Sequence, residues 1–175
     1  RELWRTDGTT AGTVLVRDIV PGAVGSAPTD LTVVGNFVAF LADDGVHGID
    51  PWRTDGTEAG TVMIVDMHPT TSETNATARV AALGASEFVF TAKSMDWQIW
   101  KSDGTATGTV LVSALQQSGT IGPGYLTEFG NKVLFEAQSP SFQHRWVTDG
   151  TTAGTLDLGV GGAGGYQIAG SSAFF

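Results

Sequence analysis

Four aspartates, Asp7, Asp55, Asp103 and Asp149, each open an Asp-Gly-Thr triplet. Carboxylate oxygens at a turn are the ligands that a hard cation such as calcium takes, but calcium collects about six to eight oxygens and each triplet offers one carboxylate. An aspartate in such a turn also accepts hydrogen bonds from backbone N–H groups two residues on, with no metal involved. A group used in catalysis need not recur, whereas a group that shapes a turn recurs with every turn. Asp7, Asp55, Asp103 and Asp149 are therefore read as structural, with neighbours such as Thr6, Thr9 and Thr13 satisfying the remaining loop groups.

Other residues occur once. Asp43, Asp44 and Asp50 cluster around Gly45. Two acids can work on a glycosidic bond, and acids with backbone carbonyls can hold calcium; the competing expectation is a solvated acidic turn. Trp97 stands beside Asp96 and near Lys93. An aromatic face there could stack on a sugar ring while Asp96 or Lys93 bonds hydroxyls; the competing expectation is packing at a blade edge or against Met95. His47 stands in a comparable loop and completes the candidate ligand contacts. His47, His68 and His144 show no zinc-ligand spacing and support no Ser-His-Asp arrangement. Asn75-Ala76-Thr77 matches a glycosylation acceptor and is read as a chance match.

The elements that position these residues follow from a repeat. Trp4, Trp52, Trp100 and Trp146, spaced by 48, 48 and 46 residues, each begin a ten-residue copy of one pattern, the first being Trp4-Arg-Thr-Asp-Gly-Thr-Thr-Ala-Gly-Thr13. Apolar–polar alternation before each Asp-Gly and β-branched runs after each Gly-Thr predict strand, turn, strand. Gly35-Asn36 between Leu31–Val34 and Phe37–Leu41 predicts a second, tighter hairpin. One repeat thus holds four strands, A to D, placed in its best-preserved copy at 31–34, 37–42, 50–54 and 61–66. No stretch carries helical periodicity. Tandem four-stranded antiparallel units of this length predict an all-β β-propeller, with residues 1–175 as one domain or fragment. The motif tryptophans are expected between blades. The strand count is a C–D pair, three full blades and a final A–B pair, which fits either a closed four-blade ring or an arc of a larger one. The abrupt ends read as a piece of something longer.

A–B and C–D turns share one end of such a propeller and are uniform between copies. B–C and D–A loops share the other end and differ, so binding is expected there. The B–C loops are read at 43–48, 93–97 and 138–142.

Composition narrows the function classes. The net charge is −9, and nine Lys/Arg form no basic stripe, which argues against nucleic acid; no apolar run predicts membrane insertion. The 24 glycines fall largely at repeated positions and indicate turns, not low complexity. Cysteine is absent, which removes disulfides and thiolate metal sites.

Glu2-Leu3-Trp4-Arg-Thr-Asp7-Gly8-Thr9 followed by Gly12-Thr13-Val-Leu-Val-Arg-Asp-Ile19 resembles the ELWxxDGT repeat of large exported bacterial proteins. The resemblance spans essentially the whole chain. Copies two to four replace Glu-Leu by Asp50-Pro51, Gln98-Ile99 and His144-Arg145, and copy four has Leu156-Asp157-Leu158 in place of Val-Leu-Val, which predicts a weakened outer strand. The Asp-Gly-Thr turns also resemble, loosely, the Asp-box turns of sialidase-type propellers. The ELWxxDGT resemblance implies a secreted or cell-surface bacterial protein and no established reaction. The expected function is a non-enzymatic binding module for a glycan or protein, requiring no cofactor, with calcium as an optional ligand. The alternative is a structural or assembly role, through blade edges that self-associate or join further repeats. A third reading, a sialidase-like glycoside-active enzyme, needs acids with Arg or Tyr converging at the variable end.

Overall fold

The computed structural model describes the chain except for residues 68–77, 94–95, 116–121, 140–141 and 162–163. His68, Asn75-Ala76-Thr77 and Met95 lie outside the described residues.

The described residues form sixteen strands and no helix. A C–D hairpin, β1 (Leu3–Arg5) and β2 (Val14–Arg17), begins the chain. Three four-stranded antiparallel sheets follow, each in sequence order. Blade 2 is β3 (Thr29–Val34), β4 (Phe37–Asp43), β5 (Ile49–Thr54) and β6 (Val62–Met63). Blade 3 is β7 (Val80–Leu83), β8 (Glu87–Lys93), β9 (Trp97–Ser102) and β10 (Val110–Ala114). Blade 4 is β11 (Gly124–Phe129), β12 (Lys132–Ser139), β13 (Phe142–Thr148) and β14 (Leu156–Val160). An A–B hairpin, β15 (Gln167–Ala169) and β16 (Ser172–Phe174), comes last. The two terminal hairpins form separate two-stranded sheets and do not pair with each other into one four-stranded blade.

Three details differ from the sequence reading. The outer strand of blade 2 is two residues long, because Thr61 is engaged in the turn before it and Met67 N–H leaves the ladder to bond Asp50 Oδ1 at 2.9 Å. The outer strand of blade 4 is fully formed: Asp157 lies opposite the C strand, and its Oδ2 meets His144 Nδ1 at 2.7 Å. The B–C connections of blades 3 and 4 are shorter than 93–97 and 138–142, because Lys93 pairs with Trp97 and Ser139 with Phe142 inside the ladders.

Packing between blades repeats with the sequence. In each full blade a phenylalanine of strand B pairs in register with the motif tryptophan of strand C, and the rings stack: Phe40–Trp52 at 6.4 Å, Phe90–Trp100 at 6.4 Å and Phe135–Trp146 at 6.1 Å. Each pair packs against the preceding blade. Trp52 and Phe40 meet Leu3 and Val16, and Phe90 with Trp100 meets Val34, Leu41 and Ile64. Phe135 and Trp146 meet Leu83, Ile99 and Val112. A single four-stranded sheet leaves both faces wet, so this stacking supplies the core. The motif tryptophan of the first hairpin, Trp4, is 58% exposed.

The four Asp-Gly-Thr turns share one hydrogen-bond network. In the second copy Asp55 Oδ1 accepts from Thr57 N at 2.9 Å and Thr57 Oγ1 at 2.7 Å, and Thr57 Oγ1 accepts from Gly60 N at 3.0 Å. Thr61 Oγ1 donates to Thr57 O and sits 2.7 Å from Thr54 Oγ1. The other copies repeat these bonds around Asp7, Asp103 and Asp149. The carboxylate occupies the space a side chain at the second glycine would need: a Cβ on Gly12, Gly60, Gly108 or Gly154 would lie 2.0 to 2.1 Å from the aspartate oxygen. The consensus Asp-Gly-Thr-x-x-Gly-Thr is thus a steric and hydrogen-bonding unit.

Two tests follow. Gly60→Ala forces Asp55 out of its turn and is expected to cost about 1–3 kcal/mol; adding Asp55→Ala frees that space, so the double variant should lose less than the sum of the singles in urea unfolding. The threonine hydroxyl, then the backbone N–H, holds each turn aspartate below its ordinary pKa. A depressed folded pKa gives stability that is complete above the unfolded aspartate value and is lost as pH falls through the folded one. The melting temperature should drop on acidification below about pH 4, and Asp→Asn at all four turns should flatten that drop.

Candidate functional site

At the variable end, the D–A connections are latched from the start of strand C. Glu2 accepts from Ile19 N at 3.0 Å, Val20 N at 3.2 Å and Ser26 N at 2.9 Å, and also from the Ser26 hydroxyl. Burial pushes its carboxyl up, but the Ser26 hydroxyl and the three backbone donors outweigh this and leave the pKa lowered. Asp50, the equivalent residue of copy two, is fully buried and holds Met67 N–H. Glu or Asp two residues before the tryptophan is therefore a loop latch.

The residues singled out in the sequence divide accordingly. Asp43, Asp44 and Asp50 are each engaged by backbone donors: Asp43 Oδ1 accepts from Gly45 N at 2.7 Å, Asp44 Oδ1 from Val46 N and His47 N at 2.8 Å each, and Asp50 is buried in the latch. Among the described residues no group of three or more His, Asp or Glu is placed to hold a metal ion. His47 Nδ1 lies 3.0 Å from Asp44 Oδ2 and 3.4 Å from Asp66 Oδ2. The Asp44 hydrogen bond, together with the charges of Asp66, Asp44 and Asp50, raises its pKa.

Trp97 requires a correction. It begins β9 instead of lying in a loop, is 2% exposed, and packs so closely on Gly122 that a Cβ there would fall 2.4 Å from the indole. It has no free face for a sugar. Lys93, at the end of β8, and Asp96, in the bend before β9, remain at the surface of the variable end. Lys93 lines a cleft of ≈ 360 Å³ with Asp66, Met67, Gln98 and Trp100.

Sequence reading missed a second group, at the inner rim where strand A begins. Asp30, Arg79 and Tyr125 stand at the starts of β3, β7 and β11, neighbouring inner strands. Asp30 and Tyr125 have φ of 53° and 54°, and both lie at register shifts in their A–B ladders. Left-handed backbone at a non-glycine residue costs about 1–3 kcal/mol. Arg79 Nη1 lies 3.9 Å from Asp30 Oδ2. Burial pushes the Asp30 carboxyl up, and Arg79 pulls it back only in part. Tyr125 is 54% exposed. A carboxylate, a guanidinium and an open phenol ring on successive blades can bond hydroxyls, amides or charges and stack on a planar or pyranose face. Neither spacing nor composition marks them, since each occurs once and only the repeat register aligns them.

In blade 4 the apolar positions Leu41 and Pro51 of blade 2 are replaced by Glu136 and Arg145, a buried ion pair at 3.1 Å. Arg145 also donates to Gly164 O and lies over the Tyr166 and Phe175 rings at 4.9 and 4.2 Å. Arg145→Met leaves Glu136 buried without its cation and is expected to cost about 3–5 kcal/mol. Arg145→Met with Glu136→Leu should recover most of that loss in thermal unfolding.

No protein-family model matches the chain, and no curated protein matches its sequence. Among solved structures the chain is similar to the crystal structure of TolB from Acinetobacter baumannii, with a TM-score of 0.55 at 13% identity. The match covers 89% of this chain and 37% of that one, so the chain spans little more than a third of that protein's length. TolB is a β-propeller protein, and at this identity the likeness is one of fold. The repeated four-stranded antiparallel sheets and this likeness together make the chain a β-propeller-type repeat protein.

Proposed function

We propose that the chain is a non-enzymatic binding module of an exported or cell-surface bacterial protein of the ELWxxDGT-repeat type. Its ligand is a glycan or a polar protein surface, held at the loop-bearing end. The observation that carries the reading is the inner-rim group: Asp30 and Tyr125 in left-handed backbone, Arg79 beside Asp30, and an open tyrosine face. Strained backbone that brings polar and aromatic groups together is a mark of recognition sites. The cleft of Asp66, Lys93, Gln98 and Trp100 starts at the same end and reaches as far as Thr109. At the uniform end the Asp-Gly-Thr aspartates and threonine hydroxyls bond largely within their own turns. Bacterial export rests on the ELWxxDGT resemblance. Among the described residues no helix is long and apolar enough to cross a membrane.

A glycan array, run with calcium and again with chelator, tests this. Saturable binding to one sugar class is expected, and loss with chelator would show that calcium takes part. Tyr125→Gly separates function from fold: glycine relieves the positive φ, so stability should hold or rise by up to about 1 kcal/mol, while affinity falls at least about tenfold, in line with loss of an aromatic contact. Unchanged affinity in Tyr125→Gly and Arg79→Met would place binding elsewhere.

A further inference from the structure

Two junctions between blades fill the same space differently. Arg17 ends β2, thirteen residues after Trp4. Its side chain reaches across to blade 2, where the guanidinium carbon lies 6.0 Å from the centre of the Trp52 ring and Nη1 donates to Thr61 O at 2.6 Å. Trp52 is left 6% exposed. An arginine of the chain itself is thus held between β2 and blade 2 by an indole and a turn carbonyl.

Between blades 2 and 3 that arginine is replaced. Val65, thirteen residues after Trp52, stands where Arg17 stands and has no donor to place on Thr109 O, the counterpart of Thr61 O nine residues after its tryptophan. The space stays open as the cleft of ≈ 360 Å³, walled by Val65, Asp66 and Met67 of blade 2 and by Trp100 and Thr109 of blade 3. Trp100 is only half-buried, and its ring is fixed by stacking on Phe90 and by its Nε1, which donates to Gln98 Oε1 at 3.0 Å. Asp66 adds a carboxylate to the wall, and a net charge of −9 draws cations to the surface. Lys93 belongs to the other end of the cleft: it pairs with Trp97, whereas Thr109 stands level with Ser102, their hydroxyls 2.8 Å apart. From Trp97 to Ser102 is roughly 16 Å of strand, about two Debye lengths at physiological salt.

We propose that this cleft binds the arginine side chain of a protein partner. The guanidinium takes the place against Trp100 and Thr109 O that Arg17 takes against Trp52 and Thr61 O, with its alkyl stem along Val65 and Met67. The chain's own arginine in the equivalent space selects this occupant over a sugar or an acidic group. Arginine anchors set against aromatic rings are frequent at protein interfaces. The proposal does not depend on the inner-rim reading.

Titration of the chain with Nα-acetyl-arginine amide, followed by NMR at the Trp100 indole N–H (assigned with Trp100→Phe), tests it. The resonance should shift and saturate, and the uncharged isostere Nα-acetyl-citrulline amide should bind at least about fivefold more weakly. Val65→Arg fills the cleft as Arg17 fills its own and should abolish the shift, with the melting temperature unchanged or higher. Arg17→Val empties the equivalent space and should add a second site, read at the Trp52 indole. No saturable shift at Trp100, equal binding of the citrulline compound, undiminished binding in a folded Val65→Arg, or no second site in a folded Arg17→Val overturns the proposal. So does free arginine binding more than about tenfold tighter than the blocked form, since the occupant would then be the amino acid and not a partner's side chain. Glycan binding in Tyr125→Gly and arginine binding in Val65→Arg are separate readouts, so either reading can fail alone.

Discussion

Everything else in this structure depends on the stacking of a strand-B phenylalanine against a strand-C tryptophan, pressed onto the blade before it. A four-stranded sheet of short strands cannot bury two faces alone. Phe40–Trp52, Phe90–Trp100 and Phe135–Trp146 make the burial cooperative, since each pair needs its neighbour's aliphatic face. Stability in such an array is close to a sum of nearest-neighbour terms. Blade 3 has a neighbouring blade on each side, and the short terminal hairpins expose Trp4, Leu15, Ile168, Phe174 and Phe175.

The Asp-Gly-Thr turn sets the geometry in which that stacking occurs. Its aspartate, two glycines and threonines close a loop between strands C and D with its polar groups paired inside it. The acidic latch at Glu2 or Asp50 holds the opposite end of strand C to the incoming D–A connection. One strand is thus pinned at both ends by carboxylates. A chain with a net charge of −9 uses part of its acidity for architecture.

How much of this was legible in the sequence follows from what repeats. The tryptophan spacing, the hairpin glycines and the alternation specify the blades and their strand count, because four copies average out local ambiguity. The turn aspartates are legible for the same reason. Features used once are not. Trp97 reads as a loop aromatic because nothing local shows that β8 and β9 pair up to Lys93 and Trp97, which puts the indole under Gly122. Asp50 reads as a member of an acidic cluster, although its role is fixed by Met67, seventeen residues away. Asp30, Arg79 and Tyr125 are invisible one by one; inter-blade register brings them to one rim. The weakened outer strand expected at Leu156-Asp157-Leu158 fails to appear, because the cross-strand contact with His144 is a long-range fact.

The propeller scaffold leaves one end uniform and committed to itself and the other varied, strained and open. Functional diversity on such folds comes from the varied end. The central claim beneath that division is that neighbouring blades, and not each sheet alone, hold the strands together. Native-state amide hydrogen exchange at low protein concentration tests this most directly. The amides of β4, β5, β8, β9, β12 and β13 should exchange only through opening of the whole array, with those of β1, β2, β15 and β16 exchanging orders of magnitude faster. Equal protection of the terminal hairpins and the central blades in a dilute monomer would contradict the account, because it would mean that the hairpins are already covered within a single chain.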